Sequence, residues 1–297
     1  MPLLETFGLQ RDPFLDTADP SFFYETMATA NARRRLMDCL AAGRGLAVVL
    51  GPIGVGKTTL CNAVQAELLA DDRFLVGLML DPVFESEGEF LAAIASSFGA
   101  ASASNDSVRA IKESLKARLF ELGVGNGKQP ILFIDEAQLL DPRHLESLRL
   151  LLNYQIDERK LLSMALAGQM ELRAAVVGRP NFADRIALML ELKPLTQSEA
   201  GGLLDHRLRS AGYSAARSPF DDAALRDVWR LSGGLPRRLT ALAREAMEAA
   251  AELRRTNVTP ADVAQAVERI APVAEGPRAP MTATADRRPW WAFWHAS

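Results

Sequence analysis

The stretch Gly51-Pro52-Ile53-Gly54-Val55-Gly56-Lys57-Thr58-Thr59 matches G-x-x-x-x-G-K-[ST]. The chemistry requires these residue types. Glycines let backbone N–H groups turn inward around an anion with no Cβ in the way. Lys57 would reach the outer phosphates of a nucleotide, and the Thr58 hydroxyl would ligate a hard divalent cation. Downstream, Ile131-Leu132-Phe133-Ile134 delivers two adjacent carboxylates, Asp135 and Glu136. Asp135 would hold the water shell of that cation, and Glu136 would polarise an attacking water. An acidic pair after an apolar run usually just opens a solvated loop. Sharing a chain with a phosphate loop gives this pair a partner. A glutamate directly after the aspartate favours hydrolysis over phosphoryl transfer to a small acceptor.

Such residues must be carried on strand ends and helix starts. Gly45–Leu50, Phe74–Leu80, Ile131–Ile134, Leu162–Ala167 and Ala187–Leu192 are short apolar runs bounded by polar or turn residues, the pattern of buried strands. Between them, Asn31–Ala42, Lys57–Leu69, Glu89–Phe98, Ser107–Leu122, Leu145–Asn153 and Glu171–Val177 carry apolar residues at helical spacing. Alternation of this kind implies an α/β fold with a mostly parallel five-stranded sheet covered on both faces. The pattern changes after Pro194. Thr196-Gln197-Ser198-Glu199 is a capping box, Asp221 opens a helix that stops at Gly233-Gly234, Pro236–Leu253 is a third helix, and Thr259-Pro260 starts a fourth. The chain therefore divides into an irregular, extended segment with a first helix (1–44), an α/β core (45–194), an all-helical domain (195–272) and an unstructured tail (273–297).

The 297 residues, 48% hydrophobic and 24% charged, describe a globular protein with ample core material. No 18-residue apolar window predicts a membrane span. The N-terminus, with acidic Glu5, lacks the basic start of a signal peptide. Cys39 and Cys61 are the only cysteines, which excludes a disulfide scaffold or a cysteine-based zinc cluster and fits a reducing cytoplasm. The net charge of −3 argues against a globally basic nucleic-acid coat.

Taken together, the phosphate loop, Asp135-Glu136 and the helical second domain resemble an AAA+ ATPase. More narrowly, the chain resembles the ExeA-type (general secretion pathway protein A) ATPases. The matching residues are Phe7-Gly8-Leu9, Pro13-Phe14, Asp19-Pro20, Phe22-Phe23-Tyr24, Asp135-Glu136-Ala137-Gln138, Leu148–Asn153, Ala167-Gly168-Gln169, Glu171-Leu172 and Ser232–Arg237. The chain is also similar to ATPases of pilus biogenesis and of exosortase-linked exopolysaccharide loci. The resemblance implies a P-loop NTPase core with a helical lid, ATP and Mg2+ as cofactors, and residues 1–44 completing the nucleotide pocket. Gln169 falls at the sensor-1 position, which contacts the γ-phosphate or the attacking water. Arg237 falls at sensor 2. Arg185 stands where such ATPases carry an arginine finger for a neighbouring subunit, with Arg149 and Arg179 as rival positions among many arginines. The N-terminal aromatics either flank the adenine or anchor a core.

There are departures. Asp81 stands where many relatives carry a neutral Asn; a carboxylate near Glu136 would act through like-charge repulsion and weakens a glutamate-switch role. Asn31 replaces a frequent His. Longer relatives continue into a membrane span and a periplasmic peptidoglycan-binding module, and this chain stops instead. Its end, Arg287-Arg288-Pro289-Trp290-Trp291-Ala292-Phe293-Trp294, reads either as a membrane-surface or partner-docking peptide, with Trp290, Trp291 and Trp294 as interfacial anchors, or as an unstructured tail.

The expected activity is ATP hydrolysis by a homo-oligomer serving an envelope, secretion, exopolysaccharide or pilus system. Its expected place is the cytoplasm, peripheral to the inner membrane. A DNA-binding transposition ATPase of the TniB/MuB type is the alternative. It calls for a basic stripe, whereas residues 195–272 carry 11 basic and 10 acidic residues. A small-molecule P-loop kinase fits less well, because its lid arginines normally lie within the α/β core.

Overall fold

The computed structural model describes residues 2–15, 22–101, 106–156 and 159–270. In chain order the helices are α1 (Pro2–Phe7), α2 (Met27–Ala41), α3 (Lys57–Leu69), α4 (Glu87–Ser97), α5 (Val108–Phe120), α6 (Pro142–Leu151), α7 (Met170–Val177) and α8 (Pro180–Ala183). They continue with α9 (Gln197–Ser210), α10 (Asp222–Ser232), α11 (Pro236–Glu252) and α12 (Pro260–Ile270). The strands are β1 (Leu46–Leu50), β2 (Phe74–Met79), β3 (Gln129–Ile134), β4 (Gln155–Ile156), β5 (Arg159–Lys160), β6 (Ser163–Gly168) and β7 (Ile186–Glu191).

Strands β1, β2, β3, β6 and β7 form one sheet in the order β2-β3-β6-β1-β7, with every neighbouring pair parallel. These are the five apolar runs expected from the sequence. Their composition follows from burial on both faces: every residue of β1, β3 and β6 is buried. Successive side chains alternate between the faces. Leu46, Val48 and Leu50 join Leu132, Ile134, Met164 and Leu166 under α4, α5, α6 and α7. Ala47 and Val49 join Ile131, Phe133, Ala165 and Ala167 under α2 and α3.

The chain separates into two compact units. One comprises Phe23–Leu195 and Leu235–Arg237, and the other Met1–Phe22, Thr196–Gly234 and Arg238–Ser297. Segment 1–44 is thus divided at Phe22. Its first residues are not irregular, as the sequence suggests, but form α1. Leu3 and Phe7, one helical turn apart, are both buried, and that burial outweighs the turn-forming composition nearby. Within the same unit, Arg11 donates to the Ser210 carbonyl at 2.9 Å and Arg244 to Asp12 at 2.8 Å. Phe14 and Phe22 are buried there, with the guanidinium carbon of Arg11 4.3 Å from the Phe22 ring centroid. The Thr196 capping box forms as read, each partner bonding the other's backbone N–H.

Helix α2 begins at Met27 rather than Asn31. A second capping box starts it, in which Thr29 stands where Glu or Gln is usual, so the sequence signal is weak. The two-residue strands β4 and β5 and the four-residue helix α8 are too short to leave a periodicity. Asp19-Pro20, the tail 273–297 and its Trp290, Trp291 and Trp294 lie outside the described residues.

His144 on α6 is buried, with its ring centroid 4.6 Å from that of Phe90 and 6.2 Å from that of Phe84. Burial pushes its pKa below the ordinary histidine value. The unfolded chain then binds the proton more readily, so this stability is present above about pH 6.5 and is lost as pH falls through the lowered folded-state value. Melting temperatures measured from pH 7.5 to 5.5 should fall less steeply for His144→Phe than for the wild type; parallel curves would contradict this.

Candidate nucleotide site

The order of the sheet brings three chain ends together. β6 lies between β1 and β3, and all three run the same way, so their carboxyl ends share one edge. Two strand spacings, about 10 Å, separate the ends of β1 and β3. β1 releases the phosphate loop, β3 releases Asp135-Glu136, and β6 releases Gln169.

The loop Gly51–Gly56 joins β1 to α3. Gly56 is the N-cap of α3 at φ +107°, a left-handed conformation that side chains rarely adopt, and no side chain caps the helix. The first N–H groups of α3 therefore have no carbonyl partner within their own helix and point toward the loop. Gly54, also at positive φ, lies against the start of α11: a Cβ there would be 3.1 Å from the Arg237 Cβ. The Gly54 carbonyl accepts the Arg237 backbone N–H at 3.3 Å. Arg237 is thus packed on the phosphate loop while its side chain is exposed. Ile53 is 45% exposed at the loop tip, whereas Val55 is buried.

Lys57 is buried, and its Nζ donates to the Gly51 carbonyl at 2.9 Å and to the Pro52 carbonyl at 3.2 Å. It spans the mouth of the loop. Burial lowers the pKa of its ammonium, against the pull of the Glu136 and Asp135 carboxylates. The Thr58 hydroxyl donates to Asp135 Oδ2 at 2.6 Å, across 77 residues of sequence. Asp135 is buried, and its other oxygen accepts the Glu136 N–H at 2.9 Å. A hydroxyl and a buried carboxylate held this close are the hard oxygen donors that Mg2+ prefers. Thr59 follows on the exposed side of α3. Cys61, one turn along, is inert: burial and nearby Asp135 push its thiol up to about 12.

Glu136 adopts φ +47°, one of two non-glycine residues with positive φ among the described residues. Its carboxylate accepts the Gln138 amide at 2.5 Å. Gln169 follows β6 as the N-cap residue of α7 and is half-buried. Asp81, after β2, is exposed.

Arg185 lies elsewhere. Leu46 pairs with Ile186 at the amino ends of β1 and β7, so Arg185 sits at the opposite edge of the sheet, about five strand residues or 17 Å from the phosphate loop. An arginine side chain cannot span that distance, so Arg185 does not serve the site of its own chain. Of its rivals, Arg149 is paired with Glu146 at 2.6 Å, and Arg179 donates to the Ala175 carbonyl. The sequence quotes Gln138 only as part of a motif. Its contacts depend on β6 lying beside β3, which no local pattern reveals.

An AAA domain family model matches residues 40–176. General secretion pathway protein A of Aeromonas hydrophila is 31% identical over 247 residues, which is 82% of this chain and 44% of that protein. The chain belongs to the AAA+ ATPases. It spans less than half the length of that curated relative. Among solved structures, this AAA+ ATPase shares its fold with Cdc6p of Pyrobaculum aerophilum, with a TM-score of 0.67 and 16% identity over 88% of this chain and 72% of that one. The RuvB Holliday junction branch migration motor of Thermotoga maritima gives a TM-score of 0.54 and 20% identity, covering 82% and 69%. Fold and family thus agree with the expected five-stranded P-loop architecture.

Replacing Lys57 with Ala removes the one buried cation of the loop. Equilibrium binding of a fluorescent ATP analogue should weaken at least tenfold, since hydrogen bonds to charged groups are worth about 1.5–3 kcal/mol. Unchanged affinity would remove Lys57 from the phosphate site.

Proposed function

We propose that this AAA+ ATPase binds ATP with Mg2+ at the carboxyl edge of β1, β6 and β3 and hydrolyses it as a homo-oligomer. The observation that carries the reading is the 2.6 Å Thr58–Asp135 hydrogen bond, which joins the two proposed metal ligands beside the phosphate loop. The backbone N–H groups of 51–59 and the Lys57 ammonium would hold the phosphates. Thr58 and Asp135 would hold the Mg2+, which when bound neutralises charge on the β- and γ-phosphates. Glu136 would take the proton of the attacking water, Gln169 would contact that water or the γ-phosphate, and Arg237 would reach the nucleotide from the start of α11. Arg185, away from its own phosphate loop, would act on a neighbouring copy.

The similarity to general secretion pathway protein A supports a role in driving or switching assembly of an envelope, secretion, exopolysaccharide or pilus system on the cytoplasmic side of the inner membrane. Contact with the membrane would come through Trp290, Trp291 and Trp294. Among the described residues no helix is long and apolar enough to cross a membrane. The near balance of charge in residues 195–272 gives no support to the DNA-handling alternative.

Glu136→Gln should bind ATP as the wild type does and lose turnover by about 10²–10⁴-fold, the usual worth of a general base. Normal turnover would end its assignment as base. Light scattering should show a larger assembly with a non-hydrolysable ATP analogue than without nucleotide; one unchanged monomer mass would sink the oligomer. Full-length chain should float with anionic vesicles and a chain ending at Pro280 should not, and equal behaviour of the two would end the membrane reading.

A further inference from the structure

Gln138 belongs to the short 3₁₀ turn Ala137–Leu139 that follows Glu136. Its side chain makes two hydrogen bonds of opposite sense. Nε2 donates to Glu136 Oε2 at 2.5 Å, and Oε1 accepts the Gln169 backbone N–H at 3.0 Å. The orientation is chemically determined: an ionised carboxylate only accepts, and a backbone N–H only donates. Glutamine supplies both senses at once without a change of protonation. The surroundings fit that use. A Cβ on Gly168 would lie 2.9 Å from Gln138 Oε1 and 3.2 Å from its backbone N, so the bare backbone at 168 lets the amide lie against β6. Glu136 holds a left-handed backbone that non-glycine residues keep only with support. Asp81, exposed and without an amide donor, does not offer that support.

We propose that Gln138 is a positioning residue for hydrolysis. It braces the Glu136 carboxylate against the end of β6, fixing the base in register with Gln169. The proposal rests on the reading of Glu136 as the general base. Because the amide touches neither the phosphate loop nor the Thr58–Asp135 pair in the hydrogen bonds above, its loss acts on turnover and not on nucleotide binding.

The test compares the wild type with Gln138→Met, Gln138→Glu, Glu136→Gln and the double variant Glu136→Gln/Gln138→Met. Single-turnover ATP hydrolysis is measured alongside the Kd for a fluorescent ATP analogue. Methionine keeps the volume and loses both bonds. Glutamate keeps the acceptor toward Gln169 but replaces the donor toward Glu136 with a like charge, so it is assayed above about pH 8, where the pair holds no shared proton, and serves if the methionine variant does not fold. Both single variants should lose about tenfold in rate, the worth of one hydrogen bond, with Kd within about twofold of wild type. The double variant should be no slower than Glu136→Gln, because Gln138 acts through that carboxylate. Wild-type rate in Gln138→Glu, a Kd that weakens in step with the rate, or a further tenfold loss in the double variant would each overturn the brace. If Glu136→Gln itself turns over normally, the base assignment falls and the brace with it. If Glu136→Gln is inactive while Gln138→Met is unimpaired, the brace alone falls.

Discussion

Everything at the candidate site depends on three parallel strands ending at one edge. A parallel sheet forces its connections to cross over through helices, so each strand delivers its carboxyl end to the same side. With β6 between β1 and β3, the phosphate loop, the acidic pair and Gln169 meet within about two strand spacings. The sheet can hold this geometry because both faces are buried, leaving β1, β3 and β6 no solvent-facing residue through which to slip in register. Site precision is thus a consequence of core packing.

At that edge the polar groups bond to one another. Lys57 bonds the carbonyls of its own loop, Thr58 bonds Asp135, and Gln138 links Glu136 to Gln169. Buried polar groups are costly unless paired, and here the donors and acceptors are matched internally. A bound nucleotide, as proposed, would exchange these bonds for its own. The Glu136 and Asp135 carboxylates and the carbonyls of Gly51 and Pro52 are what offset the burial of Lys57. The contact of Arg237 with Gly54 adds the first turn of α11 to the same arrangement, so a glycine of the loop is needed both for its φ and for the space it leaves.

Much of this was legible in the chain. The phosphate loop, Asp135-Glu136 and the five apolar runs are local patterns, and each is tied to a local physical cause: glycine's freedom, a charge at a strand end, continuous burial. The helix start that carries Arg237 is legible in Gly-Gly-Leu-Pro, because a left-handed Gly233 ends one helix and Pro236 opens the next. Helix α1 leaves no sequence signal because six residues hold too few turns to show a period, and its formation depends on burying Leu3 and Phe7. The first four residues of helix α2 leave little signal because its cap uses Thr29 in place of the usual acidic or amide residue.

The sequence by itself determined which residues have the chemistry for a phosphate or a water and which runs must be buried, because those properties belong to side-chain type and short spacing. Only the tertiary structure decided which of them meet. It placed Thr58 on Asp135 and Gln138 between Glu136 and Gln169, and it set Arg185 at the far edge of the sheet. Strand order produces all three results. It is fixed by how two apolar faces are covered, a property of the whole chain that no segment carries alone.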